Sequence, residues 1–409
     1  MENIWKSWQE VIKETKDKKI ILFGKSEDWI EKTILSARMP ISYIVDNNIN
    51  LHGTELNGLT VYPPAKIKSE KKGSFYVLIT SGSFFSIIPE LEAYGLVAGK
   101  DFCCTPVLMN QKILTDIISH KQRLLVSSPD HSVYSEIDKG KDIGGGVFIF
   151  DIDSRQSQRI AKGSFHQIAK GKDVFYIIHH FEGVHIFSDK TFKLLDSFPI
   201  DENSKPHGVA YCPKRNLVIT GCSGLDKVCF YDADTHKKVD EIKISDRYDK
   251  IGTEQHHIND LWVDGDSLFV SMFSFSGFCK YWNYDGGIME FNLNNLAERR
   301  VVVSNLWMPH SVQITGGRLA YVDSMRGNLH LTDKNPAGTF PWFIRGLAFD
   351  GQYYYVGVNQ NRYFDRLKGI SNCIMLTAGI LLFDDESKGT RFFAMDNIRQ
   401  IHDLWVLGE

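Results

Sequence analysis

The sequence predicts two folds in one chain: an α/β, Rossmann-like N-terminal domain over residues 1–121, and an all-β six-bladed propeller over 122–409 closed by the C-terminal strand. Three observations predict this. Strand and helix patterns alternate through the first quarter of the chain, as parallel sheets with helical crossovers do. One strand phrase then recurs six times. The last copy stops after a single strand, whereas 122–128 reads as a second strand with no first.

In the first domain, Ile20-Ile21-Leu22-Phe23 is a short apolar run ending at Gly24, and 28–37 has helical spacing. A second strand is predicted over 41–45, a third over 75–80 and a helix over 84–93, with flanking helices over 1–17 and 106–121. The first turn, Gly24-Lys25-Ser26-Glu27-Asp28-Trp29, has one glycine where the dinucleotide fingerprint has three; Ser26 and Trp29 take the other two places. Those glycines let the backbone approach a pyrophosphate and let the helix pack closely. Asp46 stands where a ribose-binding acid would, but one acid is not a fingerprint, so NAD(P) is not expected.

The repeat begins with a polar residue, alternates apolar positions, turns, and runs into a second apolar stretch. Its copies start at His166, His207, Asn259, His310, Arg345 and His402. Intervals of roughly 35–57 residues suit propeller blades of four short strands. Asp-Gly or Gly-Gly between the two runs predicts a hairpin. Joining the last strand to 122–128 leaves no exposed sheet edge.

In a propeller the first strand of each blade lies nearest the axis, so the six starting residues converge there. Neutral imidazoles are common ligands of transition metals. The expected metal ligands are His166, His207, His257, His310 and His402, holding a divalent ion such as zinc, manganese or iron. His257, two residues before Asn259, shares its strand face and can replace it as a ligand. His207, His310 and Arg345 are the expected catalytic residues. Arg345 would clamp an anionic group, with Asn259, His180, Asp323 and Arg362 completing the substrate contacts. His180, Asp323 and Arg362 sit just past second strands, where rigid scaffolds present binding groups. Trp282 and Tyr284 are candidates for stacking on a sugar ring, with packing in the core the favoured reading of both.

Bulk properties narrow the class. A net charge of −3, with 47 basic and 50 acidic residues, predicts neither nucleic-acid nor membrane binding. The N-terminus lacks an apolar signal region, no stretch has the length of a membrane span, and the 7 cysteines form no C-x-x-C pair. These features predict a cytoplasmic protein with buried reduced thiols. Gly-x-Ser-x-Gly, a P-loop and His-Glu-x-x-His are all missing from the sequence, leaving acyl transfer and nucleotide hydrolysis without support.

Three resemblances add to this reading. Ile21-Leu22-Phe23-Gly24, Val45-Asp46-Asn47-Asn48, Gly53, Gly58, Val61 and Pro63-Pro64 resemble the Rossmann-like accessory domain of many bacterial polysaccharide-cluster proteins. That resemblance implies a setting in surface-glycan or nucleotide-sugar metabolism and a biosynthetic partner for the N-terminal domain. Met308-Pro309-His310-Ser311-Val312, Tyr321-Val322-Asp323-Ser324 and 343–351 resemble a bacterial β-propeller family of uncharacterised activity, which implies the fold. Pro206-His207-Gly208-Val209 is similar to propeller lyases, some of which hold a metal by axial histidines and eliminate across a C–O bond of an acidic sugar or lactone. Asn259 and Arg345 depart from that pattern by interrupting the histidine ring.

The expectation is therefore a metal-dependent enzyme acting at the propeller axis on an anionic carbohydrate or nucleotide-sugar, by elimination, epimerisation or a related change. The alternative is a non-catalytic propeller that docks a glycan or a polysaccharide-biosynthesis partner; fold alone cannot choose.

Overall fold

The computed structural model describes residues 4–26, 28–129, 136, 141–281, 285–332, 335–367, 369–370 and 373–408. The chain divides into two compact units, Met1–Ile118 and Ser119–Glu409. Trp282 and Tyr284 lie outside the described residues.

The first unit contains helices α1 (Trp8–Glu14), α2 (Trp29–Ala37), α3 (Phe84–Ala93) and α4 (Met109–Ser119), the last running into the second unit. Its strands are β1 (Lys19–Phe23), β2 (Ile41–Val45), β3 (Glu55–Leu56), β4 (Leu59–Tyr62), β5 (Phe75–Ile79) and β6 (Phe102–Cys104), in the order β3-β4-β2-β1-β5-β6. Ile21 and Phe23 enter one core while Ile20 and Leu22 enter the other. Burial on both faces explains why β1 reads as an unbroken apolar run.

This unit corrects the expected Rossmann-like domain. The sheet is mixed, because β3 pairs antiparallel with β4. The physical reason is Asn57-Gly58, both in the left-handed region (φ 51° and 77°), which closes a two-residue hairpin. The connection from β4 to β5 is a 3-10 turn over Pro64–Ser69 rather than a crossover α-helix. Asp46 is occupied by main chain: its carboxylate accepts the N–H groups of Lys25, in the turn after β1, at 2.6 Å and of Asn48, in its own loop, at 2.7 Å.

The second unit is a six-bladed propeller. One blade is β7 (Arg123–Ser128), β8 (Gly146–Asp151) and β9 (Gln156–Lys162), completed by the last strand. The next is β10 (Phe165–Lys170), β11 (Val174–His179), β12 (Gly183–Ser188) and β13 (Leu194–Phe198). Then come β14 (Pro206–Cys212), β15 (Leu217–Cys222), β16 (Lys227–Asp232) and β17 (Lys238–Lys243). The fourth is β18 (Ile258–Asp264), β19 (Ser267–Met272), β20 (Gly286–Asn292) and β21 (Asn295–Leu306). The fifth is β22 (Pro309–Thr315), β23 (Arg318–Asp323), β24 (Asn328–Leu331) and β25 (Gly338–Thr339). The sixth is β26 (Phe343–Phe349), β27 (Tyr354–Asn359), β28 (Gly379–Phe383) and β29 (Thr390–Ala394), after which β30 (Asp403–Val406) pairs with β7.

The expected closure is corrected as well. Each blade is a separate four-stranded sheet, and β30 adds the inner strand of one blade without closing the ring through a main-chain ladder. Adjacent blades meet through side chains, because stacked faces present side chains to each other while the ladders run within each blade.

The six repeat phrases fall on the strands that pack around the axis, β10, β14, β18, β22, β26 and β30. Five of these carry a β-bulge at the repeat's opening residues. A bulge breaks the alternation and re-aims a side chain. In four of the six copies the residue after the opening position carries a side chain that bonds the backbone of other blades. Gln167 Oε1 accepts from Val209 N at 2.9 Å and Leu261 N at 2.8 Å, while its Nε2 donates to Leu261 O at 2.8 Å. Asp260 accepts from Ser311 N at 2.6 Å, Ser311 Oγ from Gly346 N at 2.8 Å, and Asp403 from Ile168 N at 2.9 Å. At Gly208, in the same position of its blade, a Cβ would lie 2.2 Å from Asn259 O, so only glycine fits.

Among the described residues no helix is long and apolar enough to cross a membrane. Six cysteines are buried and free; Cys373 is free and exposed.

Candidate functional site

Four histidines of the repeat register stand together at the axis. His166 stacks on His207 and on His402, with ring centroids 4.6 Å apart in each case, and His310 lies 5.9 Å from His402. Their partners set their tautomers. Nδ1 of His166 faces Pro206 O at 3.1 Å, Nδ1 of His207 faces Lys205 O at 2.9 Å, and Nδ1 of His310 faces Met308 O at 2.9 Å. A carbonyl oxygen only accepts, so these rings carry the proton on Nδ1 and keep a lone pair on Nε2. His402 is the reverse, its Nε2 donating to Asp260 Oδ1 at 2.9 Å and its buried Nδ1 having no partner. Burial holds all four well below the ordinary imidazole range. Each is thus a neutral ring with one bare nitrogen, the form in which imidazole binds metals.

The ligand nitrogens of His166, His180 and His207 lie within 4.8 Å of one another. Nδ1 of His180 is buried and has no hydrogen-bond partner. Three nitrogen donors with bare lone pairs, two of them oriented by backbone carbonyls, fit a divalent transition metal. His310 and His402 line the same channel outside this group, and His257 has a different partner.

That partner is Glu254. Its Oε1 accepts from His257 Nδ1 and from Ser223 Oγ at 2.6 Å, and its Oε2 pairs with Lys280 at 2.7 Å. Burial pushes Glu254 up, but His257 and the bonds from Lys280 and Ser223 outweigh it, so the carboxyl stays ionised well below its ordinary range. His257 sits at φ 53°, in the left-handed region, with its ring 4.2 Å from Phe273 and 5.0 Å from His207. Such strain persists only where surrounding contacts over-determine it.

A cavity of about 250 Å³ adjoins these groups, lined by His207, Glu254, His257, Asn259, His310, Arg345 and Arg362 among others. Arg345 is buried, its Nη2 donating to Gln400 Oε1 at 2.6 Å and its Nε unpaired. Burial lowers it to about 10, which leaves it charged at neutral pH. Asn259 is fully buried, and its Oδ1 has no partner. Arg345, Arg362, Arg366 and Lys280 face one carboxylate, Glu254, so the lining is net cationic. Asp323 is not part of it: its carboxylate accepts from Trp307 N at 3.0 Å and Arg326 Nη1 at 2.7 Å.

The structure therefore brings together His166, His180 and His207, and places Asn259, His257, His310, Arg345 and Arg362 around the adjoining cavity. Sequence reading missed Glu254 and Lys280, which lie in segments outside the repeated phrase. It also missed Gln167, Asp260 and Asp403, whose signal was their shared place one residue after each opening position.

No match was found among curated proteins. Among solved structures, a protein of unknown function from Bacteroides caccae aligns at 13% identity over 71% of this chain and 100% of its own, with a TM-score of 0.47. Hydrazine synthase from Kuenenia stuttgartiensis aligns at 12% identity over 61% and 90%, TM-score 0.39. A luciferin-regenerating enzyme aligns at 11% identity over 58% and 78%, TM-score 0.42. At such scores a likeness carries no inference about chemistry. Residues 246–409 match the family model described as "Domain of unknown function (DUF4915)", a span that includes Glu254, His257, Asn259, His310, Arg345 and His402.

Proposed function

We propose that the channel is a metal-dependent catalytic site acting on a small anionic, carbohydrate-type substrate by elimination or epimerisation. The observation that carries this is the set of converging imidazoles with bare nitrogens, His166, His180 and His207, beside a net cationic cavity. A divalent metal held there would supply Lewis-acid stabilisation of negative charge on a substrate oxygen. Arg345 binds the substrate's carboxylate, its planar fork suiting that group. Asn259 Oδ1, buried and unpaired, accepts from a substrate hydroxyl. Glu254 fixes His257 with its proton on Nδ1, which leaves Nε2 as the base. That nitrogen takes the proton from the carbon next to the carboxylate, the step that elimination and epimerisation share. In elimination the β C–O bond then breaks and its oxygen leaves with the proton that His257 took; in epimerisation water delivers a proton on the other face and His257 gives its own to solvent.

The test is turnover of a panel of uronic and aldonic acids and their lactones by metal-loaded protein, with His257→Gln and Arg345→Gln variants. The reading expects His257→Gln to lower kcat by about 10²-fold or more, as loss of a general base does. Arg345→Gln should chiefly raise KM. Full turnover by both variants would overturn it.

A further inference from the structure

We infer that the hairpin joining β11 to β12 holds a second divalent transition-metal site, built from His179, Glu182 and His185 and separate from the channel. His179 closes β11 opposite Gly183, and His185 lies two residues further along β12, opposite Ile177. The two-residue period of the strands puts both imidazoles on one face of the hairpin. Their rings stack at 5.0 Å with an interplanar angle of 15°. The edge-on ring of Phe165 holds both, at 5.0 Å from His179 and 5.4 Å from His185. Both histidines are buried, whereas Glu182 is exposed at the turn. His180, the very next residue, belongs to the channel group, so adjacent histidines serve different clusters.

The spacing suits a metal. The ligand atoms of the three residues all lie within 4.8 Å of one another. Glu182 Oε2 is 2.9 Å from His185 Nε2 and 3.7 Å from His179 Nδ1. Tetrahedral zinc, with ligands at ~2.0–2.1 Å, needs donor atoms ~3.3 Å apart, and the two distances bracket that value. A donor set of two imidazoles and one carboxylate favours zinc, cobalt, nickel or copper over magnesium and calcium. Within the hairpin Glu182 Oε2 pairs with His185 Nε2, while Glu182 N–H donates to His179 Nδ1 at 3.2 Å, at the long end for such a bond. Two of the three ligands are thus fixed by packing, and the third sits on a turn free to rotate onto the ion.

The test is titration with cobalt(II), followed by its visible absorption and by equilibrium dialysis, on untagged protein. A His166→Ala/His207→Ala variant removes the channel group, and Glu182→Gln or His185→Asn is then added. The inference expects one cobalt bound in the channel variant, weakened at least tenfold by Glu182→Gln and by His185→Asn. Glu182 is exposed, so its variant keeps the fold, which circular dichroism checks. Absence of cobalt from the folded channel variant, or equal binding after Glu182→Gln and His185→Asn, would overturn the inference. If the channel reading alone fails, unaltered protein binds one cobalt and Glu182→Gln removes it.

Discussion

Replacing Gln167 with alanine removes a junction between three blades. Its side chain satisfies Val209 N, Leu261 N and Leu261 O, all through bonds of 2.8–2.9 Å. Gln167 is only 4% exposed, so these groups lose their partners inside the protein. A buried main-chain group left unpaired costs ~1–3 kcal/mol, so three give about 3–9 kcal/mol. Water entering the vacated polar space recovers part of this, and we expect about 3–5 kcal/mol. Urea unfolding reads the effect: with m near ~3 kcal/mol/M, the midpoint falls by about 1–1.7 M at unchanged m. Gln167→Glu tests the donor alone, since a carboxylate still accepts from both N–H groups but repels Leu261 O. Gln352→Ala, at an exposed position, is the control and should stay within ~0.5 kcal/mol. A Gln167→Ala midpoint within about 0.2 M of the unaltered protein would refute the idea that these side chains tie the blades together.

Three further predictions follow from the same contacts. Gly208→Ala places a Cβ 2.2 Å from Asn259 O and should cost several kcal/mol or abolish soluble expression, read by thermal unfolding. Arg345→Lys keeps the charge but loses the fork, and should weaken binding of glucuronate, measured calorimetrically, by about tenfold. Burial holds His166 and His207 well below the ordinary imidazole range, so protons compete for them only at correspondingly low pH. Metal should therefore stay bound as pH falls through ~6.5, where ordinary histidines take up protons. Elemental analysis after dialysis between pH about 7.5 and 5.5 checks this, and release centred near ~6.5 would contradict it.

The propeller was legible because its inner strands repeat one register in sequence. His166, His207, Asn259, His310, Arg345 and His402 can be aligned by eye, and the radial packing of the six blades brings them to one axis. The alternation rule could not show the bulges at these positions, which depend on pairing with the second strand. The mixed sheet of the first unit was missed because Asn57-Gly58 was not read as a hairpin turn. Within the site, spacing revealed which histidines converge but not which share an ion. His180 joins His166 and His207 from a strand end, whereas His257 is drawn away by Glu254, a residue outside the repeat. The first grouping arises only when different blades meet at the axis; the second is a local contact three residues apart, in a segment the repeat does not include.

The proposed function requires that the imidazoles of His166, His180 and His207 hold a metal in the channel. Elemental analysis of protein purified without chelator or affinity histidines, beside Glu182→Gln and Glu182→Gln/His207→Ala variants, tests it most directly. Glu182→Gln, which removes the inferred hairpin site, should carry about one transition metal per chain, and the double variant should lose it. Equal metal content in the two, with both folded, would contradict it.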